Sequence, residues 1–135
     1  YKGRTMEAII RSIGYIETPY EKIEDCPRNT ESNGPLCALT IKSEFTDAIY
    51  KLNSDQNILI LYWFENVDRK RIRQNSRKTG EFSGVFALRT PNRPNPIGAA
   101  VVKIEKIENN KIYIKGLDCL NGTPLIDIKP ARTGE

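Results

Sequence analysis

Ile97-Gly98-Ala99-Ala100-Val101-Val102-Lys103-Ile104-Glu105-Lys106-Ile107, followed after Glu108-Asn109-Asn110 by Lys111-Ile112-Tyr113-Ile114-Lys115-Gly116-Leu117, is the stretch that decides the fold class. Val101, Lys103, Glu105 and Ile107 alternate with Val102, Ile104 and Lys106, the period of two that places successive side chains on opposite faces of a strand. Asn109-Asn110 supplies a turn that tolerates positive φ, so residues 97–107 and 111–117 read as a hairpin.

Working outward, residues 8–16 are expected as a first strand, with Ile9, Arg11, Ile13 and Tyr15 opposite Ile10, Ser12, Gly14 and Ile16. Residues 17–35 lack periodicity and are rich in charge, Asn and Pro, the profile of a long functional loop. A second strand is expected over 36–41, and Ser43 is placed to cap a short helix over 44–52, where Phe45, Ala48, Ile49 and Leu52 fall at helical spacing. The continuous apolar run 57–64 reads as a central strand, 68–80 as a basic loop and 85–88 as a short strand. Asn121-Gly122 marks a second turn, and a last strand follows over 125–128. Short strands with little room for crossover helices predict a mainly-β fold. The expected form is a single antiparallel β-barrel with one or two short helices, not a Rossmann-type doubly wound sheet. One domain is expected over residues 6–135, and Tyr1 to Thr5, which precede the sole methionine Met6, are expected to be foreign to the native chain.

At 135 residues the chain fits one hydrophobic core. No apolar run approaches the roughly 20 residues of a membrane helix, and no signal peptide is visible. Cys26, Cys37 and Cys119 are odd in number and form no CxxC pair. That argues against a disulfide framework or a zinc site and for reduced thiols in a cytoplasmic protein, with no metal. The net charge of +4 is unevenly spread: residues 68–93 carry eight basic and two acidic side chains, whereas 1–67 carry seven and ten. Such a block suggests a polyanionic partner; the plainer alternative is a solvated loop that only aids solubility.

Three segments are unusual. Residues 89–98, Arg89-Thr90-Pro91-Asn92-Arg93-Pro94-Asn95-Pro96-Ile97-Gly98, contain three prolines that restrict φ and stiffen their predecessors. This is a rigid loop presenting Arg89, Arg93 and two asparagines, or else simply a stiff crossover between strands. Within residues 116–130, Asp118 and Asp127 lie among apolar residues, where an unpaired carboxylate is costly. Asp127 has Lys129 at hand as a partner, while Asp118 opens a turn with free backbone N–H groups and suits a ligand. The third segment is Cys26-Pro27-Arg28-Asn29, which alone would be called a surface loop.

Together, Pro27-Arg28-Asn29, residues 84–91, Arg93-Pro94-Asn95-Pro96-Ile97-Gly98 and residues 116–130 resemble the TrmO family, also called TsaA-like or YaeB-like proteins, over about residues 8–130. The resemblance implies a single β-barrel that binds S-adenosyl-L-methionine. It implies methylation of N(6)-threonylcarbamoyladenosine, next to the tRNA anticodon, on the same nitrogen. It also implies a homodimer with the cofactor near the subunit interface. The lack of a GxGxxG turn agrees with a non-Rossmann methyltransferase. By motif, Pro27, Arg28 and Asn29 match a cofactor-contacting Pro-Arg-Gln, and Glu65 and Asn66 stand where the family often has His-Gln. Arg89 matches the arginine of Phe-Ala-x-Arg, Ala99 follows Pro-Ile-Gly at a cofactor-lining position, and Asp118, Cys119, Leu120 and Asn121 match the cofactor-holding turn. The departures are Asn29 for glutamine, Glu65 for histidine in a chain without any histidine, and the absence of the further C-terminal domain of some bacterial relatives.

For a methyl transfer to a urea-like nitrogen, the base would then be Glu65, Asp118, water or the substrate's own carboxylate. Arg89 would hold a substrate carboxylate or phosphate. Arg69, Lys70, Arg71, Arg73, Arg77 and Lys78, with Arg93, would contact the tRNA backbone, since the stretch 69–78 has no aromatic residue for stacking. Two other functions fit parts of the sequence: a non-catalytic RNA-binding β-barrel, and a methyltransferase using S-adenosyl-L-methionine on a small-molecule or protein acceptor.

Overall fold

The computed structural model describes residues 3–135; Tyr1 and Lys2, part of the segment expected to be foreign, lie outside the described residues. Among the described residues nine strands form: β1 (Gly14–Glu17), β2 (Leu36–Ile41), β3 (Asn57–Trp63), β4 (Arg73–Asn75), β5 (Phe82–Gly84), β6 (Ile97–Lys103), β7 (Lys106–Glu108), β8 (Lys111–Lys115) and β9 (Thr123–Pro130). Seven of them make one antiparallel sheet in the order β6-β3-β9-β1-β2-β8-β7, and β4 pairs only with β5 in a separate small hairpin. The inward residues of the sequence alternation meet in the core: Ile16, Leu39, Ile58, Ile60, Ile104, Ile112, Ile114, Leu117 and Leu125 are fully buried. Each such aliphatic side chain contributes about 1.5–3 kcal/mol by leaving water. Asn109 takes φ 54° and closes the β7–β8 turn, as an Asn at that position readily does.

The antiparallel, mainly-β class is as expected, but the sheet is not closed into a barrel. The strand expected over 97–107 bends at buried Ile104, leaving the β3 ladder at Lys103 and joining β8 at Lys106. Its two halves, β6 and β7, therefore form the two outermost strands of a curled sheet, and no ladder joins them.

Four local expectations are also corrected. The first strand spans only Gly14–Glu17, and Ile9 and Ile10 are exposed, because their alternation finds no neighbouring strand. The segment after Lys42 is a 3₁₀ helix over Ser43–Ile49 with no side-chain cap, although Phe45, Ile49 and Leu52 do pack on the core. Its backbone bonds close at i→i+3, as from the Tyr50 N–H to the Asp47 carbonyl at 3.2 Å, the tighter form that short helical pieces adopt. Val85–Ala87 is a 3₁₀ turn that buries Val85 alone. The basic loop is partly structured, because Arg73–Asn75 pairs with Phe82–Gly84.

Candidate functional site

The end of β3 and the turn preceding β9 converge on a cavity of about 270 Å³. Trp63, Phe64, Glu65, Asn66 and Val67 line one side, residues 118–124 the other, and Ile23, Cys26 and Pro91 the rim. The pairing of β3 with β9 shifts register between Leu61 and Tyr62, an irregularity of the kind that re-aims side chains beside functional sites. Asn66 enters the left-handed region at φ 58° where the chain leaves the strand.

Asp118 is the half-buried carboxylate of this cavity. Burial pushes its carboxyl above the ordinary value; its own backbone N–H, the Tyr62 hydroxyl and the positive charge of Arg89 pull partly in the other direction. Tyr62 is 3% exposed and directs its O–H towards that carboxylate. Burial first, and then the negative charge of Asp118, push its phenol upward. Gly98 lies directly across the β3–β6 ladder from Tyr62. A Cβ there would come within 2.5 Å of Tyr62 Cε2 and 2.8 Å of Phe64 Cε2. The glycine of the Pro-Ile-Gly segment thus makes room for two rings in edge-to-face contact, with centroids 5.4 Å apart. Sequence reasoning missed Tyr62, Trp63 and Phe64 because they sit in an apolar run that looks like core. The hydroxyl of Tyr62 within that run was the available signal, since a buried phenol needs a partner.

The Arg89 guanidinium donates from Nη2 to the Ala99 carbonyl at 2.9 Å, and its charge reaches both Tyr62 and Asp118. Cys119 is 4% exposed, and burial pushes its thiol up to about 12, so this residue presents backbone rather than a reactive sulfur. Asn121 lines the cavity, but its side chain also ties loops together. Its Oδ1 accepts from the Thr18 N–H at 3.1 Å and its Nδ2 donates to Glu21 at 3.0 Å.

Pro27, Arg28 and Asn29 do not line the cavity, although their neighbour Cys26 does. The loop they belong to is fastened to the end of β8 by the Glu31 N–H, which donates to the Gly116 carbonyl at 2.8 Å. Gly116 sits at φ +79°, and a Cβ there would overlap the Glu31 carbonyl oxygen, so only glycine permits this contact. Ala99 is likewise outside the cavity and touches the site through Arg89.

The basic residues divide into two groups. Arg69 donates to the Pro94 carbonyl at 2.8 Å and lies 5.3 Å from the Trp63 ring centre. Arg93 donates to the carbonyls of Leu88 and Thr90, both at 3.0 Å. Arg71 pairs with Asp68 at 3.3 Å, and Arg73 stacks on Phe82. Among the described residues, the side chains of Lys70, Arg77 and Lys78 have no hydrogen bond or ion pair, whereas Asp127 takes Lys129 as its partner at 3.3 Å.

A larger groove of about 770 Å³ lies elsewhere, between the loop 30–33 and residues including Lys103, Glu105 and Lys115. It contains none of the expected site residues, and its Glu105 pairs with Lys103 at 3.8 Å and with Lys115 at 3.3 Å. Among the described residues no cluster of His, Cys, Asp and Glu could hold a metal, and no helix is long and apolar enough to cross a membrane.

Residues 15–133 match the family described as the tRNA-methyltransferase O N-terminal domain. The chain is 41% identical over 127 residues to a probable S-adenosyl-L-methionine-binding protein, VirR, of Rhizobium radiobacter, covering 94% of this chain and 73% of that one. It is 36% identical over 121 residues to an S-adenosyl-L-methionine-binding protein of Archaeoglobus fulgidus, covering 90% and 87%. A similarity of 33% identity extends to the tRNA (adenine(37)-N6)-methyltransferase of Rattus norvegicus, over 93% of this chain and 31% of that enzyme. The crystal structure of TrmO from Pseudomonas aeruginosa superposes with a TM-score of 0.77 at 30% identity, over 96% of this chain and 57% of that one. The chain thus spans a little over half the length of the solved structure it matches.

Proposed function

Because the chain belongs to the tRNA-methyltransferase O N-terminal domain family, we propose that it binds S-adenosyl-L-methionine at the Asp118 cavity and directs its methyl group to an adenosine of tRNA. The observation that carries this is a half-buried carboxylate in a cavity walled by Trp63, Phe64, Leu120 and Pro124. Apolar walls suit an adenine ring or an alkyl chain, and a desolvated carboxylate suits the neighbouring positive charge of a sulfonium. When bound, the cofactor supplies a methyl group on a good leaving group, so that positioning the acceptor accounts for much of the rate.

The residues then take distinct parts. Asp118 lies where it can counter the sulfonium charge or accept the proton of the acceptor nitrogen. Burial raises its pKa, which favours the proton-accepting part; Glu65 is an exposed member of the same lining. Arg89 keeps guanidinium donors beyond the one given to Ala99, enough to hold a carboxylate or phosphate of the acceptor. The finer acceptor is the N(6) nitrogen of threonylcarbamoyladenosine beside the anticodon. The family, and the name of the rat relative as a tRNA (adenine(37)-N6)-methyltransferase, support an adenosine methylated at that nitrogen. At about 270 Å³ the cavity is smaller than the roughly 300–1,000 Å³ of most small-molecule sites. Completion by the Pro27–Arg28–Asn29 loop or by a second copy in a homodimer fits that size.

The test is nucleoside mass spectrometry of tRNA incubated with the protein and S-adenosyl-L-methionine. The expected product is a modified adenosine one methyl heavier. Cofactor binding with no change in any tRNA nucleoside would direct the search to a small-molecule or protein acceptor. Binding of tRNA without cofactor binding would instead leave a non-catalytic RNA-binding protein.

A further inference from the structure

The β4–β5 hairpin contributes nothing to the cavity and little to the core, yet it is well fixed. Its Ile72 carbonyl accepts from Val85 N–H at 2.9 Å, and Gln74 accepts from the Thr90 hydroxyl at 3.1 Å. Asp68 N–H donates to Asn92 at 3.0 Å, and Arg69 holds Pro94, so the arm is locked to the loop that carries Arg89. The arm displays apolar surface to water: Phe82 is 58% exposed, Ile72 65% and Phe86, three residues before Arg89, 85%. Pairing brings Phe82 beside Arg73, whose guanidinium stacks 4.8 Å from the ring centre. The stretch 69–78 lacks aromatic residues, but folding supplies them from the strand that follows.

Building on the tRNA reading above, we propose that this arm reads unpaired nucleobases, with Phe82 and Phe86 as stacking platforms and Arg73, Lys70, Arg77 and Lys78 on the adjoining phosphates. A single-stranded loop presents flat π-faces beside negative charge, which is the complement of aromatic rings set among cations. A second copy of the chain is the poorer occupant. Symmetric contact would bring two segments, each with eight basic and two acidic side chains, face to face.

The experiment uses the full chain and a tRNA anticodon stem-loop, with filter binding at several salt concentrations. Stacking is largely insensitive to salt, whereas phosphate contacts release counterions. Phe82→Leu and Phe86→Leu keep the apolar bulk and remove the π-face. Each is expected to weaken binding about tenfold while leaving the slope of log affinity against log salt unchanged. Phe82→Trp should bind like the parent, and Lys70→Ala with Lys78→Ala should flatten the slope. If both leucine variants bind RNA as the parent does, the arm is not a stacking surface. If they instead dissociate a dimer seen by light scattering, the occupant is a second copy and the proposal is overturned. A parent that binds no RNA at any salt would overturn the tRNA reading itself, an outcome separate from unaltered binding by the variants.

Discussion

Asp118 combines two opposing influences, burial that favours its protonated form and neighbours that favour the charged one, with burial the larger. A carboxyl whose pKa is raised on folding binds its proton more tightly in the native state. The associated stability is present below the unfolded value and is lost as pH rises through the folded value. Asp118→Asn should therefore remove a decline in stability between acid and neutral pH, measurable by urea unfolding across that range. The same substitution should lower single-turnover methyl transfer on the order of a hundredfold or more if Asp118 is the base. Gain of stability with loss of activity would distinguish this site from an ordinary structural ion pair. Gly98 makes the opposite kind of contribution, through an absent side chain. Gly98→Ala puts a methyl group into the Tyr62 and Phe64 rings and should cost about 1–3 kcal/mol in the same unfolding measurement.

At the level of elements, the loop carrying Pro27, Arg28 and Asn29 is held on its C-terminal side by the contact between Glu31 and Gly116 and on its N-terminal side by the bonds of Asn121 to Thr18, Tyr20 and Glu21. Gly116→Ala should displace that loop, destabilise the fold by about 1–3 kcal/mol and expose residues 27–34 to limited proteolysis. Weaker cofactor binding is expected with it; unchanged binding would place the loop outside the site. Strand β2 was legible to its end residues, and most of β3, β6 and β8, because apolar alternation and a long buried run leave few options. Residues 8–13 alternate equally well and form no strand, since alternation specifies a face but does not provide a neighbour to pair with. For the site, the Asp118 turn was legible as a carboxylate among apolar residues and Glu65-Asn66 through the family resemblance alone, and the cavity brings them together. The Tyr62–Asp118 approach was not, because it joins side chains from distant parts of the chain. Nor does sequence distinguish a donor that remains free from one already used internally, as Arg69, Arg93 and Asn121 are.

For the molecule as a whole, a ligand that binds only the native state raises its stability by mass action. The melting temperature should therefore climb with S-adenosyl-L-methionine, by the equivalent of about 2.7 kcal/mol at a hundredfold excess over Kd. Calorimetric scans at increasing cofactor check this, and no shift at saturating cofactor would contradict the assigned ligand. Light scattering should report a homodimer, with the cavity completed at or near its interface. Among the described residues strand β6 is paired on one side only, and on the other Arg89 covers the Ala99 carbonyl. An uncovered strand of this kind, with Ile97 and Val101 partly exposed, is a template for adding further chains and hence for aggregation. A charged side chain held across it is a deterrent. Arg89→Ala should consequently form thioflavin-positive aggregates on storage faster than the parent, while Arg89→Lys, still charged, should do so less. The arginine proposed to hold the acceptor would then also be a guard on solubility, and the two duties separate by assaying only freshly isolated, non-aggregated protein.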